Sequence, residues 1–393
     1  MCAYVLRRAE EFMKCVRCML PIVAAALLFA GCASVPKAAA GEQASQAKDA
    51  KEAPVPEWRT FSGKVTAIEK YGHAVTDIAF ADMQKAGYEH GDIVTVRFDN
   101  GYTFSAPVVA NYDVDKGAFL VRTNHAGGFI AACINYGKLN ERAKIAVGSA
   151  LTVSMKQKGG YREQYALRAL SRSDKRSDYA SDEAFANFRG VSLGSIGKNI
   201  LYRGSHPAKK GWMRAPYASA LMERAKIKTV VDMSDSRSEL ASYLDPSNPQ
   251  YSVYYASLDK AGSVVCLSMN IDFTSDLFAA GIVGALRFMI AHEGPYYLHC
   301  NEGKDRTGFI MILIESLMGA SKEEAMRDYM QSYVDFYHVE KGSYKYNVIA
   351  KANFEPMYKA IVGNASPVKG ARAYLSVHDM TDDEIEALIQ RLR

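Results

Sequence analysis

One stretch of this 393-residue chain concentrates groups able to do chemistry: His299-Cys300-Asn301-Glu302-Gly303-Lys304-Asp305-Arg306-Thr307-Gly308. A cysteine thiolate is a strong nucleophile, and an arginine presents a planar fork of donors that matches two oxygens of a phosphate. Glycine lets the intervening loop curl tightly. A loop wrapped before a helix N-terminus offers unpaired N–H groups and the positive end of a dipole, which together bind a phosphate dianion and favour the thiolate. The pattern therefore predicts that Cys300 attacks the phosphorus of a phosphate monoester and forms a thiophosphate that water then cleaves. Arg306 would hold the charge of the transition state. The chemistry needs neither a metal nor another cofactor.

The neighbours have weaker assignments. Asn301, Glu302, Gly303 and Lys304 line the expected phosphate cradle, with Lys304 adding charge toward an anionic substrate or else standing as a solvated surface lysine. Thr307 either hydrogen-bonds the sulfur or caps the helix. His299 either orients the loop through its backbone or is a satisfied core histidine.

The elements around this stretch agree with that use. Tyr296 to His299 reads as a buried strand, and Thr307 to Met318 as an almost wholly apolar helix, so the loop sits where open α/β sheets bind ligands. Upstream, Ile227 to Met233 and Tyr251 to Tyr255 read as strands, Ala218 to Lys226 and Phe278 to Ala291 as amphipathic helices. Strands alternating with helices imply a central parallel sheet flanked by helices. Ser321-Lys322-Glu323-Glu324 is a capping box that opens a further helix.

Before this α/β region the pattern is different. From Phe61 to about Met155, short alternating segments divided by Gly and Asn-Gly turns predict a small all-β barrel or sandwich. The expected organisation is a segment 1–32, a flexible Ala/Lys/Gln/Glu/Pro-rich tether 33–56, a barrel 57–156, a polar connection 157–189, an α/β domain 190–362, and a tail with a helix over 363–393.

The apolar run from Met19 to Phe29 follows Lys14 and Arg17 and ends in Ala30-Gly31-Cys32. It is short for a bilayer span and is laid out like a secretion signal. Small residues before the cysteine resemble the lipobox of bacterial lipoproteins, with Phe29 in place of the usual branched aliphatic residue. That resemblance implies lipidation of Cys32 and an extracytoplasmic, membrane-anchored protein; Met13 is a plausible start. Of seven cysteines, Cys133, Cys266 and Cys300 fall in the folded part, too few for a disulfide scaffold. A net charge of +5 and the lack of a basic-aromatic surface point away from nucleic acid. Metal hydrolysis is not indicated, since the histidines are scattered without ligand spacing, and no serine triad is expected, for want of a recognised Gly-x-Ser-x-Gly nucleophile elbow.

Cys-x5-Arg with His299 before it and Thr307-Gly308 after it resembles the cysteine-dependent tyrosine and dual-specificity phosphatases. Within them it is similar to a bacterial secreted branch whose loop reads HCxxGKDRTG and whose members act on phosphotyrosine and phosphoinositides. Ile200 to Pro207 and Val230 to Glu239 also resemble that branch, and the similarity runs from Gly190 to Tyr358. It implies a tyrosine-phosphatase-like fold, with Arg203, Arg237 and Glu239 tying the loop from behind. It also bears on the general acid. Many members carry an aspartate on a separate upstream segment, for which Asp272, and then Asp276 and Asp259, are candidates, whereas the KDR branch carries it inside the loop at Asp305. Asp305 is the preferred acid, its competing role being a hydrogen bond to loop amides that would lower its pKa.

The first β block is similar to the C-terminal barrel of the S-adenosylmethionine hydroxide adenosyltransferase family, through Tyr71-Gly72-His73-Ala74-Val75-Thr76-Asp77-Ile78. His73 and Asp77 replace that family's asparagines, which implies a binding or structural barrel. The expected function is hydrolysis of a phosphomonoester, with a non-catalytic ligand-binding lipoprotein that works through its barrel as the alternative.

Overall fold

The computed structural model describes residues 58–393. The secretion-signal reading, the tether and Cys32 lie outside the described residues. No helix among the described residues is long and apolar enough to cross a membrane.

Seven strands close the expected barrel: β1 (Phe61–Ile68), β2 (Ala74–Ala79), β3 (Ile93–Phe98), β4 (Thr103–Val109), β5 (Phe119–Arg122), β6 (Phe129–Ile134) and β7 (Ala150–Gln157). They run in the order β1-β2-β6-β5-β4-β3-β7, all neighbours antiparallel except β4 and β5. Alternation drives closure: along β3, Val94, Val96 and Phe98 are buried, and they meet Leu151 and Val153 of β7 in one apolar cluster. Two short helices, Phe80–Lys85 and Leu139–Ala143, add Phe80, Met83 and Leu139 to that cluster.

The second sheet has five strands: β8 (Arg189–Val191), β9 (Leu201–Gly204), β10 (Thr229–Asp232), β11 (Val264–Cys266) and β12 (Tyr296–His299). Its order is β11-β10-β12-β9-β8, parallel except for the edge strand β8. The centre is buried on both faces, which is why β10 and β12 carry no polar alternation. Register sets Asp232 beside both His299 and Cys266, and Gly204 beside His299. Several positions that matter below therefore lie at one end of the sheet.

The helix Asp305–Leu317 is buried from Thr307 to its end and sits in the core with Phe278, Ile282 and Leu286 of the helix Asp276–Ala291. Ser321 and Glu324 make the expected capping box. Two expectations are corrected. Tyr251 to Tyr255 is not a strand: Ser252 caps a helix, Val253–Lys260, by accepting the Tyr255 N–H at 3.0 Å, and the sheet takes Val264–Cys266 instead. An alternating aromatic pattern over five residues cannot distinguish the two, and the cap decides. Residues 363–393, expected as a tail with a helix, form two packed helices: Pro367–Val377 sets Ala371 and Leu375 in the core against the Asp305 helix, and Asp382–Leu392 sets Ile385 and Leu388 there against the Asp276 helix.

The described residues, 58–393, fall in one compact unit. On the connection, Tyr161 and Tyr165 pack on the barrel and Leu167 and Leu170 on the α/β core.

Candidate active site

The chain leaves β12 at His299, turns through residues 300–304, and enters the helix at Asp305. Gly303 makes that turn possible. Its φ is +71°, and a Cβ there would stand 2.1 Å from the Gly204 carbonyl oxygen, so no other residue fits without displacing β9.

Three neighbours take up the loop's carbonyls. The His206 N–H donates to Asn301 O at 3.1 Å, Asn187 Nδ2 to Glu302 O at 2.8 Å, and Arg203 Nη2 to Gly303 O at 2.8 Å. All three donor residues are fully buried. With the carbonyls held from outside, the backbone N–H groups of Asn301 to Arg306 donate to no protein acceptor among the described residues. Donors without acceptors at a helix N-terminus are the elements of an anion site.

Cys300 is 3% exposed and opens onto a cleft of about 420 Å³ that Asn301, Glu302, Asp305 and Arg306 also line. Arg306 is braced by one end of its fork, Nη1 donating to Met269 O at 2.9 Å and Met233 O at 3.3 Å, while its buried Nε has no protein partner. Thr307 is buried, and its hydroxyl is likewise unpartnered.

Asp305 accepts no hydrogen bond from the loop amides. Its side chain keeps about half its exposure, and its pKa is raised because the surrounding walls penalise its charge more than Lys304 and Arg306 favour it. The upstream aspartates are engaged elsewhere. Asp272 accepts from Thr274 Oγ1 at 2.6 Å and its pKa is lowered by that bond, Asp259 pairs with Arg237 at 2.7 Å, and Asp276 opens its helix. None of the three lines the cleft.

Lys304 differs from the expectation of either a solvated lysine or a free charge. It is 9% exposed, donates to Tyr337 Oη at 3.1 Å and pairs with Glu302 at 3.2 Å. Burial opposes its charge, but Asp305, Tyr333 and Glu302 outweigh burial and hold its pKa above the usual lysine value. The Glu302 carboxylate is also taken, by Arg172 at 2.9 Å and Tyr337 at 2.6 Å. Glu302 therefore faces the cleft with a neutralised side chain, and the group it can offer an anion is its amide.

His299 is fully buried; Nε2 lies 3.1 Å from Tyr255 Oη and Nδ1 3.3 Å from the Cys300 carbonyl. Burial, then the nearby His206, pushes its pKa well below the ordinary value, so it is neutral and donates from Nδ1. His206, Asp232 and His299 gather donor atoms within 4.8 Å of one another. Yet His206 Nε2 is held by Asp235 at 2.5 Å, and its Nδ1 accepts the Ala208 and Lys209 N–H groups at 3.0 Å each. Both histidines use both nitrogens, which suits a bracing network better than a metal centre.

Behind the loop, Arg203 does what was expected of it, with Nη1 on Asp328 at 2.5 Å. Arg237 and Glu239 do not: Arg237 pairs with Asp259 at the surface, and Glu239 caps its own helix through Ser236. A disulfide between Cys300 and Cys266 is not available either. β10 separates their strands, so two interstrand spacings, roughly 10 Å, lie between the two backbones, against about 7 Å for a bridge. Burial and Asp232 push the Cys266 thiol up to about 12. Gly190-Val191-Ser192-Leu193-Gly194 has the spacing of a serine nucleophile elbow, but Ser192 is exposed, follows an edge strand and opens no helix.

Sequence reasoning missed Arg172, Lys209, Trp212 and Tyr337, which complete the cleft wall. The Arg172 guanidinium lies 5.0 Å from the Trp212 ring centre, and Lys209 Nζ donates to Asn301 Oδ1 at 2.6 Å. No local pattern marks these residues.

No curated protein sequence matches the chain. Among solved structures, an uncharacterized conserved protein from Thermotoga maritima is similar at 27% identity over 23% of this chain, TM-score 0.22. A conserved hypothetical protein from Thermus thermophilus is similar at 18% identity over 23%, TM-score 0.18. The chain spans about a third of the length of those two proteins, 35% and 34%. P. aeruginosa TpbA is similar at 21% identity over 44% of this chain and 94% of its own, TM-score 0.26. A model of the tyrosine phosphatase family matches residues 184–393, more than half of the sequence. It takes in the whole five-stranded sheet, the Cys300 loop and the two C-terminal helices, and on that match the chain belongs to the tyrosine phosphatase family.

Proposed function

We propose that the protein hydrolyses phosphate monoesters through a phosphocysteine at Cys300. The observation that carries this reading is the convergence of Cys300, Asp305 and Arg306 on one cleft whose loop amides have no acceptor in the protein. The dianion sits against those amides and the Arg306 fork. The Cys300 thiolate attacks phosphorus, the bond from phosphorus to the ester oxygen breaks, and Asp305 gives its proton to the departing oxygen. Water then attacks the phosphocysteine, Asp305 takes up the water's proton, and the P–S bond breaks to restore the thiolate. The buried Thr307 hydroxyl is a donor available to the sulfur in that second step. Phosphotyrosyl proteins, phosphoinositides and inositol phosphates all present the group this sequence of steps requires.

The raised pKa of Asp305 supports its role as acid. A carboxyl with a raised pKa keeps its proton to higher pH than an ordinary one, and the first step loses rate as pH climbs through that value. Asp305→Asn is expected to slow turnover of alkyl phosphates by about 10²-fold or more, to slow an activated aryl phosphate far less, and to remove the basic limb of the kcat profile. If Asp272→Asn shows that pattern instead, the acid lies upstream.

In this reading the enzyme works outside the cytoplasm on a lipid anchor at Cys32. Cys32→Ser is expected to release the protein from membranes or block its processing, seen by fractionation and by mature mass. Unchanged retention and mass would remove the anchor from the account.

A further inference from the structure

The barrel carries a cavity that the Cys300 chemistry does not use. Three connections meet around it: Tyr71 and His73 lie between β1 and β2, Tyr112 between β4 and β5, and Asn135 to Lys138 follow β6. Its volume, about 640 Å³, falls within the roughly 300–1,000 Å³ of small-molecule sites, and barrel mouths are common places for them. The walls are tyrosines left in water: Tyr136 is 83% exposed, Tyr71 63% and Tyr112 40%. A single exposed aromatic needs no explanation, but three around one cavity mark a binding surface. Tyr136 also holds a φ of +57°, which bulky side chains rarely adopt, in a turn closed by the Gly137 N–H on Ile134 O at 3.1 Å. Tyr112 is braced, its hydroxyl accepting from Arg122 Nη1 at 2.6 Å.

The floor is polar and unsatisfied. His73 is 3% exposed, and its Nδ1 has no partner among the described residues. The buried Asn135 donates through Nδ2 to Val114 O at 2.9 Å, while its Oδ1 accepts from no donor among those residues. A buried polar atom without a partner is costly, and a ligand group that pairs with it removes the cost. Charge narrows the ligand. Burial lowers the His73 pKa against the pull of Glu69, so the imidazole is neutral at pH 7. Glu69 is paired with Arg122 at 2.7 Å and Lys138 with Glu141 at 2.6 Å, and Lys70 and Lys116 stand over Tyr71 and Tyr136 at 5.5 and 5.1 Å, where they repel a cation. Shape narrows it again. The imidazole is tilted 53° from Tyr71 and 47° from Tyr112, so a flat heterocycle can stack on the floor or on either of these walls but not on both, whereas a puckered ring presents C–H groups at several angles.

We infer that this cavity is a carbohydrate site, in which a pyranose ring lays its C–H faces on Tyr71, Tyr112 and Tyr136 and pairs its hydroxyls with His73 and Asn135. A hydroxyl both donates and accepts, so it satisfies His73 Nδ1 in either tautomer and donates to Asn135 Oδ1. The inference concerns the barrel alone and goes beyond the phosphatase reading.

The test uses the full chain. Trisaccharides of glucose, galactose, mannose and N-acetylglucosamine are titrated in turn and followed by saturation-transfer NMR at their ring C–H protons, with adenosine as the flat-ring comparison and tetramethylammonium as the cationic one. At least one of the sugars is expected to bind. Tyr71→Ala and Tyr136→Ala, at exposed positions that folding does not depend on, should each weaken that binding severalfold or more. His73→Phe keeps a ring but no nitrogen and should weaken it by about two- to tenfold, the range for losing a neutral hydrogen bond. Cys300→Ser should bind the sugar as the wild type does, which separates this site from the phosphate loop. The absence of binding by every sugar, sugar binding that ignores both tyrosines, or adenosine or tetramethylammonium held more tightly than every sugar would each overturn the inference and leave the phosphatase reading untouched.

Discussion

Replacing Cys300 by serine is expected to lower phosphomonoester turnover by at least about 10³-fold while leaving measurable binding of inorganic phosphate. The reason is the division of labour at the site. The amides that cradle the anion belong to the backbone, whose carbonyls are held by His206, Asn187 and Arg203, and none of those contacts involves the Cys300 side chain. A serine hydroxyl fits the same space but is protonated at neutral pH and is a far weaker nucleophile than a thiolate. Steady-state kinetics and phosphate titration of the same preparation check both parts. A serine variant with near wild-type turnover would remove the nucleophile from the account, and one that no longer binds phosphate would mean that the loop has moved.

Arg306→Ala has the second largest expected effect, about 10³- to 10⁵-fold in kcat/KM, the range for removing an arginine that stabilises charge on a transferring phosphoryl group. Unlike the serine change it should also weaken phosphate binding, because the fork holds ground state and transition state alike. It carries a stability cost too: the Met269 carbonyl loses its donor, while the Met233 carbonyl keeps the Met269 N–H, a loss worth about 1–3 kcal/mol, visible as a lower Tm. Arg306→Lys restores charge but not the planar fork, so it should recover only part of the rate. Thermal melts alongside kinetics separate the two losses. If Arg306→Ala changes Tm but leaves kcat/KM within about tenfold, Arg306 is a brace between two segments and not a phosphate ligand.

The contrast between these residues and their supports shows what the sequence could disclose. Cys300, Gly303, Asp305 and Arg306 stand within seven positions, and their spacing alone implies a loop closing on a helix N-terminus. The flanking elements were equally readable, since β12 and the apolar helix after it bury every side of the segment that carries them. The second layer was not. Arg172 reaches Glu302 across 130 positions, and Lys209 reaches Asn301 across 92. Nothing local marks a lysine that topology will bring beside a loop so far away in the chain. Arg203 was found because its segment carries a recognisable pattern, and Arg237 and Glu239 were misplaced for the same reason: the pattern fixed their strand-and-helix context but not which way their side chains turn. The Tyr251 to Tyr255 segment shows the limit of periodicity, where a serine cap outweighed an alternation of five residues.

Lys304 shows how burial changes a role that charge alone suggests. A lysine beside a phosphate loop reads as an anion ligand, but the aromatic walls from Tyr333 and Tyr337, 5.1 and 4.7 Å from its ammonium, and the Glu302 carboxylate turn it into a strut.

The covalent step can be observed directly. Asp305→Asn protein mixed with an activated aryl phosphate, acid-quenched during turnover and mapped by peptide mass, is expected to carry one phosphate on the peptide that contains Cys300, with none on the Cys300→Ser protein treated alike. Turnover with no phosphate on that peptide, or with phosphate on a different residue, would contradict hydrolysis through a phosphocysteine.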